Sequence, residues 1–334
     1  MTVKLIDLAR AESGDTAELD QLRAGGEELG IIQVVNHGVP QDFIDEFHDR
    51  ISAILAQPRA DKIPLASPTG HPYRGWRQWP DDFGRLELER FSIGQYDSPE
   101  DAQADGLPAE YSVQYAHPNV WPDPELHAAA RRYYAATTSL ARRVLAAYAR
   151  ALGQPADVFP VGDGPDHTRL VVNNYPTWTY EENVTDEQKL LLLEHADGSV
   201  VTVLHQRGDY DGLQAQEPDG SWTPVPIVPG ALQVFSGSLL TNWTNGRLRP
   251  GRHRVVAGGT VTRLSSGMFW HPRVDSVIEP LAPFVGPEGA DFDPVLIWDT
   301  VKDDVEEYLK VFGRPDQVAA WREGRPYVAA LAGA

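Results

Sequence analysis

Three residues of the chain have the types and the spacing of a metal site. His195 and Asp197 are separated by one residue, and His253 follows 58 residues after His195. On a strand, positions i and i+2 point to the same side, so one imidazole and one carboxylate can reach the same ion. Two histidines and one carboxylate that leave coordination positions open are the ligand set of non-haem Fe(II) oxygenases. Although a His-x-Asp pair alone arises often by chance, the three residues together predict an iron site.

A second pair at the same spacing follows ten residues after His253. Arg263 carries a planar guanidinium that matches a carboxylate, and Ser265 adds a hydroxyl donor. The intervening Ala257–Gly259 segment has the composition of a hairpin turn. A two-residue turn would pair His253 with Leu264, whereas a three-residue turn would pair it with Arg263. We therefore expect an odd-length or bulged turn that puts His253 and Arg263 in one pocket.

Composition limits the other classes of chemistry. The 334 residues include no cysteine, so disulfides, Cys-ligated zinc, iron–sulfur clusters and a cysteine nucleophile are excluded. Asp and Glu outnumber Lys and Arg by 48 to 29, which gives a formal net charge of −19. Such a chain has no evident electrostatic attraction for nucleic acid or for anionic membranes. Because cysteine is absent, any metal ligands must be nitrogen and oxygen atoms.

The hydrophobic pattern predicts which elements position these residues. Amphipathic or Ala-rich helices are expected at 16–29, 41–56 and 124–152, and C-terminal helices at 299–312 and 315–331. After Pro160, short strand-like runs alternate with turn signals, which is typical of an antiparallel sandwich or barrel. We expect one compact unit, with an α-rich N-terminal region, a β core that carries the iron site, and C-terminal helices. The boundaries of these three parts are 1–160, 161–285 and 286–334.

Further motifs are spread over most of the chain. They are Gly30–Val39, Asn173-Asn174-Tyr175-Pro176, Gly198–Gln206, Thr241–Gly246 followed by His253-Arg254-Val255, Ser265–Pro272, and Ile278–Leu281. Together with the metal pattern, they resemble the isopenicillin N synthase-like branch of the Fe(II)/2-oxoglutarate-dependent oxygenases. The resemblance implies a mainly β fold with flanking helices, a distorted double-stranded β-helix or jelly-roll barrel.

The resemblance also implies roles for individual residues. His195, Asp197 and His253 would bind Fe(II), while Arg263 and Ser265 would bind the distal carboxylate of 2-oxoglutarate. Tyr175 would add a hydrogen bond, and Asn173 would line the same pocket. The implied reaction uses 2-oxoglutarate and O2 as co-substrates, releases succinate, and oxidises an unactivated C–H bond. Hydroxylation is the default outcome, and desaturation and ring formation are the other outcomes in this branch.

Residues of the N-terminal loops and the barrel mouth are candidates for the substrate pocket. Arg74 and Arg90 can each anchor a substrate carboxylate, but each can equally pair with a surface acid. Trp76 and Trp178 can stack on a flat substrate, although such aromatic residues more often belong to a core. His271 fits either the pocket wall or the barrel rim. The candidates are Tyr73, Arg74, Trp76, Arg90, Phe91, Val171, Trp178, Phe269 and His271.

Two rival functions stay open at the level of sequence. An iron-dependent oxidase that uses no 2-oxoglutarate would keep the same iron ligands and the Arg-x-Ser pair. A non-catalytic barrel that binds a small ligand would use the histidines only structurally. We expect a small-molecule substrate, a role in natural-product (antibiotic) biosynthesis, a monomer or weak homo-oligomer, and no nucleic-acid or membrane partner. The chain starts without an apolar signal segment, so a cytoplasmic location is expected.

Overall fold

The computed structural model describes residues 2–80, 87–162, 166–175, 177, 189–208, 210–258, 262–312 and 319. The helices are α1 (Leu8–Glu12), α2 (Thr16–Glu28), α3 (Gln41–Leu55), α4 (Arg59–Lys62), α5 (Pro99–Ala104), α6 (Ala109–Tyr115), α7 (Pro124–Ala151), α8 (Ser238–Trp243) and α9 (Ile297–Phe312). The strands are β1 (Lys4–Asp7), β2 (Ile31–Val35), β3 (Gly75–Pro80), β4 (Glu87–Gly94), β5 (His167–Tyr175), β6 (Leu190–His195), β7 (Val201–Arg207), β8 (Leu213–Gln216), β9 (Trp222–Pro224), β10 (Leu232–Ser236), β11 (His253–Val256), β12 (Arg263–His271), β13 (Val277–Ile278) and β14 (Val295–Leu296).

Two sheets form the barrel. The larger sheet has the order β1-β2-β10-β7-β12-β5-β4-β3, and the smaller one has the order β6-β11-β8-β9. Four strands of the larger sheet come from the first hundred residues, so the N-terminal region extends the sheet as well as covering it with helices. Residues of both sheets line a single cavity. The active-site candidates therefore lie between the sheets, where water is partly excluded.

The long helix α7 supports the outer face of the larger sheet. Asp123 caps its start by accepting a hydrogen bond from the Leu126 N–H at 2.6 Å, and Pro124 occupies the first turn, where its missing N–H costs nothing. The helix ends just before Gly153, whose φ of +74° suits the reversal of the chain. The helices α2 and α3 pack on α7, and α7 packs on β7 and β12. The structure thus confirms the predicted helices at 16–29, 41–56 and 124–152.

A buried polar cluster joins α3 and α7 to the back of β12. His48 Nε2 lies 2.7 Å from Ser266 Oγ, and the Tyr133 hydroxyl lies 3.1 Å from the same oxygen. Phe47 stacks on Tyr133 with the ring centroids 4.9 Å apart. Side chains alternate along a strand, so fixing Ser266 on the outer face also fixes Ser265 on the inner face. The cluster therefore holds the strand that carries the predicted 2-oxoglutarate residues.

The buried His48 predicts a stability that depends on pH. Burial lowers the pKa of His48 to about 4, well below the ordinary value near 6.5. The folded state then binds fewer protons than the unfolded state, so this contribution is complete above pH 6.5 and is lost as the pH falls towards 4. From pH 7 to pH 5, the free energy of unfolding of His48→Gln should therefore fall by about 2 kcal/mol less than that of the wild type.

Urea unfolding of the two proteins at pH 7 and pH 5 measures this difference. The matched control is His127→Gln, a substitution of a half-exposed histidine on α7. Its free energy of unfolding should depend on pH as that of the wild type does. A wild-type pH dependence of the free energy of unfolding in His48→Gln would contradict this role of His48.

The predicted hairpin between His253 and Arg263 is wrong. The strand β11 pairs with β6 and β8, while β12 pairs with β5 and β7, so the two residues belong to different sheets. Residue 259 of the predicted turn and the two residues that follow it lie outside the described residues. Of the predicted helix at 315–331, only residue 319 is described.

Candidate active site

The structure brings His195, Asp197 and His253 together where β6 ends and β11 begins. His195 is the last residue of β6 and pairs in register with His253, the first residue of β11. His195 Nε2 lies 3.5 Å from Asp197 Oδ1, and His253 Nε2 lies 4.0 Å from the same oxygen. One ligand atom of each residue lies within 4.8 Å of the other two. This arrangement can accommodate one metal ion with three protein ligands on one side.

Backbone carbonyls orient both imidazoles. His195 Nδ1 lies 2.9 Å from the Leu193 carbonyl oxygen, and His253 Nδ1 lies 2.9 Å from the Gly251 carbonyl oxygen. In each case Nδ1–H donates to the carbonyl, so the Nε2 lone pair is left for a metal. Hydrogen bonds of this kind typically fix the tautomer and the ring plane of histidine ligands. The donor set therefore fits an Fe(II) ion with nitrogen and oxygen ligands.

The protonation states also favour metal binding. Burial lowers the pKa of His253 to about 4, so this imidazole is neutral at neutral pH. Burial acts to raise the pKa of Asp197, but the adjacent His253 and His195 outweigh it and hold the pKa well below the usual range. Burial acts to lower the pKa of His195, but Asp197 outweighs this effect and the pKa is raised. A metal ion therefore competes with a proton at His195, and its binding weakens as the pH falls.

A second polar group lies across the cavity on β12. Arg263 is 1% exposed, and its guanidinium lies over the Tyr175 ring, with Cζ 4.9 Å from the ring centroid. Its Nη2 donates to Gln206 Oε1, but its Nε and Nη1 are buried without a hydrogen-bond partner. Leaving such donors unpaired is costly, and a planar carboxylate satisfies two of them at once. With Ser265 on the same face of β12, the site fits the distal carboxylate of 2-oxoglutarate.

Gln206 is a positioning residue that the sequence analysis did not single out. It lies on β7 opposite Ser265 of β12, is 4% exposed, and accepts a hydrogen bond from Arg263 Nη2. A hydrogen bond to a charged group contributes about 1.5–3 kcal/mol. We therefore expect Gln206→Leu to raise the KM for 2-oxoglutarate at least about tenfold, because Arg263 is then free to adopt other rotamers.

Steady-state kinetics and metal titration check the role of Gln206. The kcat and the affinity for Fe(II) should stay close to wild type, since Gln206 contacts none of the three predicted iron ligands. Gln216→Leu, on β8 of the smaller sheet, provides the control. An unchanged KM in Gln206→Leu would contradict a positioning role.

The cavity has a volume of about 270 Å³. Four of the residues predicted for the substrate pocket line it, namely Tyr73, Arg90, Val171 and Phe269. Arg90 Nε donates to Asn173 Oδ1 at 2.8 Å, which links the predicted substrate and 2-oxoglutarate residues. Every second residue at the end of β5 faces the cavity, as the period of a strand requires. These residues are Val171, Asn173 and Tyr175.

Four other candidates do not line the described cavity. Arg74 is buried under Gly94, and its Nε and Nη1 donate to the carbonyls of His117 and Tyr73. Trp76 and Phe91 belong to the hydrophobic core, where they pair across β3 and β4. His271 Nε2 lies 3.1 Å from the Gly198 carbonyl oxygen, so it contacts the loop after Asp197. Trp178 lies outside the described residues.

Sequence reasoning missed several residues of the cavity wall. The most consequential is Arg169, which lies two residues before Val171 on β5 and so faces the cavity by the same two-residue period. Extending that period by one step would have identified it. The other missed residues include five apolar side chains. They are Leu192, Leu204, Leu213, Phe235 and Val255.

Comparisons with known proteins agree with this site. A sequence profile of the 2OG-Fe(II) oxygenase superfamily matches residues 167–272, and a profile of the N-terminal region of non-haem dioxygenases in morphine synthesis matches residues 3–124. The chain is 29% identical over 294 residues to gibberellin 2-beta-dioxygenase 4 of Arabidopsis thaliana, which covers 85% of this chain and 84% of that protein. It is 25% identical over 274 residues to the 2-oxoglutarate-dependent dioxygenase thnC of Trichoderma harzianum, with coverage of 79% and 81%.

Solved structures agree on the fold. The dioxygenase for auxin oxidation of rice superposes with a TM-score of 0.68, and the match covers 99% of this chain and 98% of that one at 23% identity. This likeness confirms the predicted jelly-roll fold. The two profiles together span the N-terminal region and the barrel that holds the triad and Arg263. The chain therefore belongs to the 2OG-Fe(II) oxygenase superfamily, and it is an Fe(II)/2-oxoglutarate-dependent dioxygenase.

Proposed function

We propose that this dioxygenase oxidises an unactivated C–H bond of a small organic molecule in natural-product metabolism, with hydroxylation as the default outcome. The observation that carries the proposal is the meeting of three metal-ligand side chains and the buried, incompletely paired Arg263 in one cavity. The gibberellin enzyme and the morphine-synthesis profile, both named for small natural products, support the choice of substrate class.

The protein positions the reactants and leaves the oxidation to its cofactor. When bound, Fe(II) with 2-oxoglutarate supplies the oxidising power through O2 and the loss of CO2. His195, Asp197 and His253 would hold the ion, since one ligand atom of each lies close to the other two. Arg263 and Ser265 line the same cavity as the predicted iron ligands and would bind the distal carboxylate of 2-oxoglutarate there.

Apolar side chains limit the access of water to the reacting atoms. Phe235 packs against His253 with the ring centroids 4.5 Å apart, and Leu213 and Val255 line the wall beside it. Exclusion of water by this apolar wall strengthens the electrostatic interactions with the two carboxylates of 2-oxoglutarate and protects reactive species from side reactions. Gly267, on the inner face of β12, adds no side chain where the substrate must approach.

The comparisons do not favour the two rival functions. The matching profile is that of oxygenases that use 2-oxoglutarate, and the relatives named above include dioxygenases that use it. Among the described residues, no helix is long and apolar enough to cross a membrane. The cytoplasmic location and the oligomeric state stay predictions.

Product analysis tests the proposal. Purified enzyme with Fe(II), ascorbate and 2-oxoglutarate is incubated in air with terpenoid, aromatic and amino-acid-like compounds, and the products are identified by mass spectrometry. We expect one compound to gain an oxygen atom or lose two hydrogen atoms, with one succinate formed per product. Oxidation of a compound without any formation of succinate would favour the rival oxidase.

A further inference from the structure

A second, smaller cavity of about 80 Å³ lies beside the end of β7. It shares none of its described lining residues with the cavity of the active site. Its place follows from the strand pairing, because β7 pairs with β10 only as far as Leu204 but with β12 as far as Arg207. The start of α3 and the loop at 227–231 line the space left beside β7.

This second cavity is exposed at its rim and buried at its floor. Gln41 and Gly230 on the rim are exposed, whereas Gln206 and Gln233 on the floor are only 4% and 1% exposed. The rim is held in place, because the Gly230 carbonyl oxygen lies 3.2 Å from His37 Nε2. A small molecule can therefore enter from solvent without passing through the active site.

Three polar atoms of residues that line the second cavity are buried without a hydrogen-bond partner. They are Gln206 Nε2, Gln233 Oε1 and His205 Nδ1. The orientation of the Gln206 amide follows from its partner, because the Arg263 guanidinium can only donate and so faces the amide oxygen. Buried polar groups of this kind normally have a partner, since leaving them without one is costly. The second cavity therefore suits a molecule that both accepts and donates hydrogen bonds.

The charge and the size of the second cavity define that molecule further. None of its described lining residues is charged, since burial lowers the pKa of His205 to about 2 and leaves the imidazole neutral. An ion would therefore lose its water without gaining a counter-ion. The volume suffices for two or three waters at about 30 Å³ each, or for one organic molecule of about four non-hydrogen atoms. A carboxamide of that size offers an acceptor to Gln206 and donors to Gln233.

We infer that the second cavity binds a small neutral carboxamide, and that this ligand strengthens the binding of 2-oxoglutarate through Gln206 and Arg263. The ligand accepts a hydrogen bond from Gln206 Nε2 and so fixes the amide whose oxygen accepts from Arg263. An Arg263 that is held in one rotamer loses less conformational entropy when a carboxylate binds. Because coupling between two sites is reciprocal, 2-oxoglutarate should strengthen the binding of the carboxamide by the same factor. The inference goes beyond the proposed oxidation and does not depend on the identity of its substrate.

Four probes of one shape test the inference. Acetamide is compared with acetate, acetamidinium and acetone, which change its charge or remove its donors. A ligand of this size should bind in the millimolar range, so each probe is added at about 50 mM. Equilibrium dialysis of labelled 2-oxoglutarate with Fe(II)-loaded enzyme under nitrogen gives the Kd with each probe. We expect acetamide to lower this Kd at least threefold, and the other three probes not to lower it.

Calorimetry separates binding of acetamide from a general effect on the solvent. The Kd of acetamide should fall in the presence of saturating 2-oxoglutarate by the factor found in the dialysis experiment. A Kd of acetamide that does not change when 2-oxoglutarate is added would refute the coupling of the two sites.

Two variants locate the site of acetamide binding. Ala231→Leu fills the second cavity, and Gln233→Leu removes an acceptor from its floor. In both, the ratio of the 2-oxoglutarate Kd without and with acetamide should fall to one, whereas Gln216→Leu should keep the wild-type ratio. The Tm without ligand verifies that each variant folds. The inference is overturned if acetamide does not lower the Kd in wild type, which is the result expected of a cavity filled by water alone. It is also overturned if another probe lowers the Kd equally, or if a folded variant of the second cavity keeps the wild-type ratio.

Discussion

Replacing Asp197 with alanine is expected to abolish succinate formation, with a loss of more than about 100-fold in both Fe(II) affinity and turnover. Loss of a residue that only supports a metal ligand already costs about 10–100-fold, and Asp197 is predicted to be a direct ligand. It is also the only carboxylate in the described lining of the cavity. Without it, two imidazoles remain to hold the ion, and the neighbouring charge that favours a cation is gone.

Glu194→Ala is the matched control for this experiment. Glu194 precedes His195 on β6, but its side chain faces solvent and reaches Arg252. This variant should bind Fe(II) and 2-oxoglutarate like wild type. Equilibrium dialysis with Fe(II) under nitrogen measures the metal affinity separately from turnover. Wild-type metal binding in Asp197→Ala would contradict the assignment of the triad.

Replacing Arg263 with methionine is expected to change binding and stability in opposite directions. The KM for 2-oxoglutarate should rise by about two to three orders of magnitude, because removal of one partner of a buried charge pair costs about 2–5 kcal/mol. The ligand-free protein should become more stable, because Arg263 is a buried cation with two unpaired donors. The rise in Tm that 2-oxoglutarate causes in wild type should disappear.

Arg252→Met, which removes a partly exposed charge next to His253, is the control and should alter neither property. Thermal unfolding with and without Fe(II) and 2-oxoglutarate provides both readouts for each protein. A normal KM in Arg263→Met would refute the predicted role of Arg263. A lower Tm of the ligand-free variant would refute the argument that this charge is kept for binding at the expense of stability.

Local patterns in the sequence predicted the helices at 16–29, 41–56, 124–152 and 299–312, and they singled out the pair His195 and Asp197. The two-residue spacing of His195 and Asp197 was informative although β6 ends at His195. Asp197 lies two residues beyond the strand, and its carboxylate still comes close to the His195 imidazole. Arg263 and Ser265 share the inner face of β12 because they lie two residues apart on one strand. In each case the chemistry depends on neighbours in sequence, whose relative directions are fixed by backbone geometry.

Pairings over long distances could not be read in the same way. The segment between His253 and Arg263 was predicted as a hairpin because Ala257–Gly259 has the composition of a turn. In the structure the chain crosses from one sheet to the other, and the two residues meet across the cavity. Likewise, Arg74 and Arg90 are equivalent as isolated arginines. Only the packing sends Arg74 to backbone carbonyls and Arg90 into the cavity.

Binding of 2-oxoglutarate measured with and without metal tests the central claim most directly. The claim is that the His195-Asp197-His253 triad and Arg263 form one joint site for Fe(II) and 2-oxoglutarate. Equilibrium dialysis of labelled 2-oxoglutarate under nitrogen should give one molecule bound per chain in the presence of Fe(II), with at least tenfold weaker binding in its absence. Binding should be lost in both Asp197→Ala and Arg263→Met. Equal binding of 2-oxoglutarate with and without Fe(II), or unchanged binding in both variants, would contradict the account.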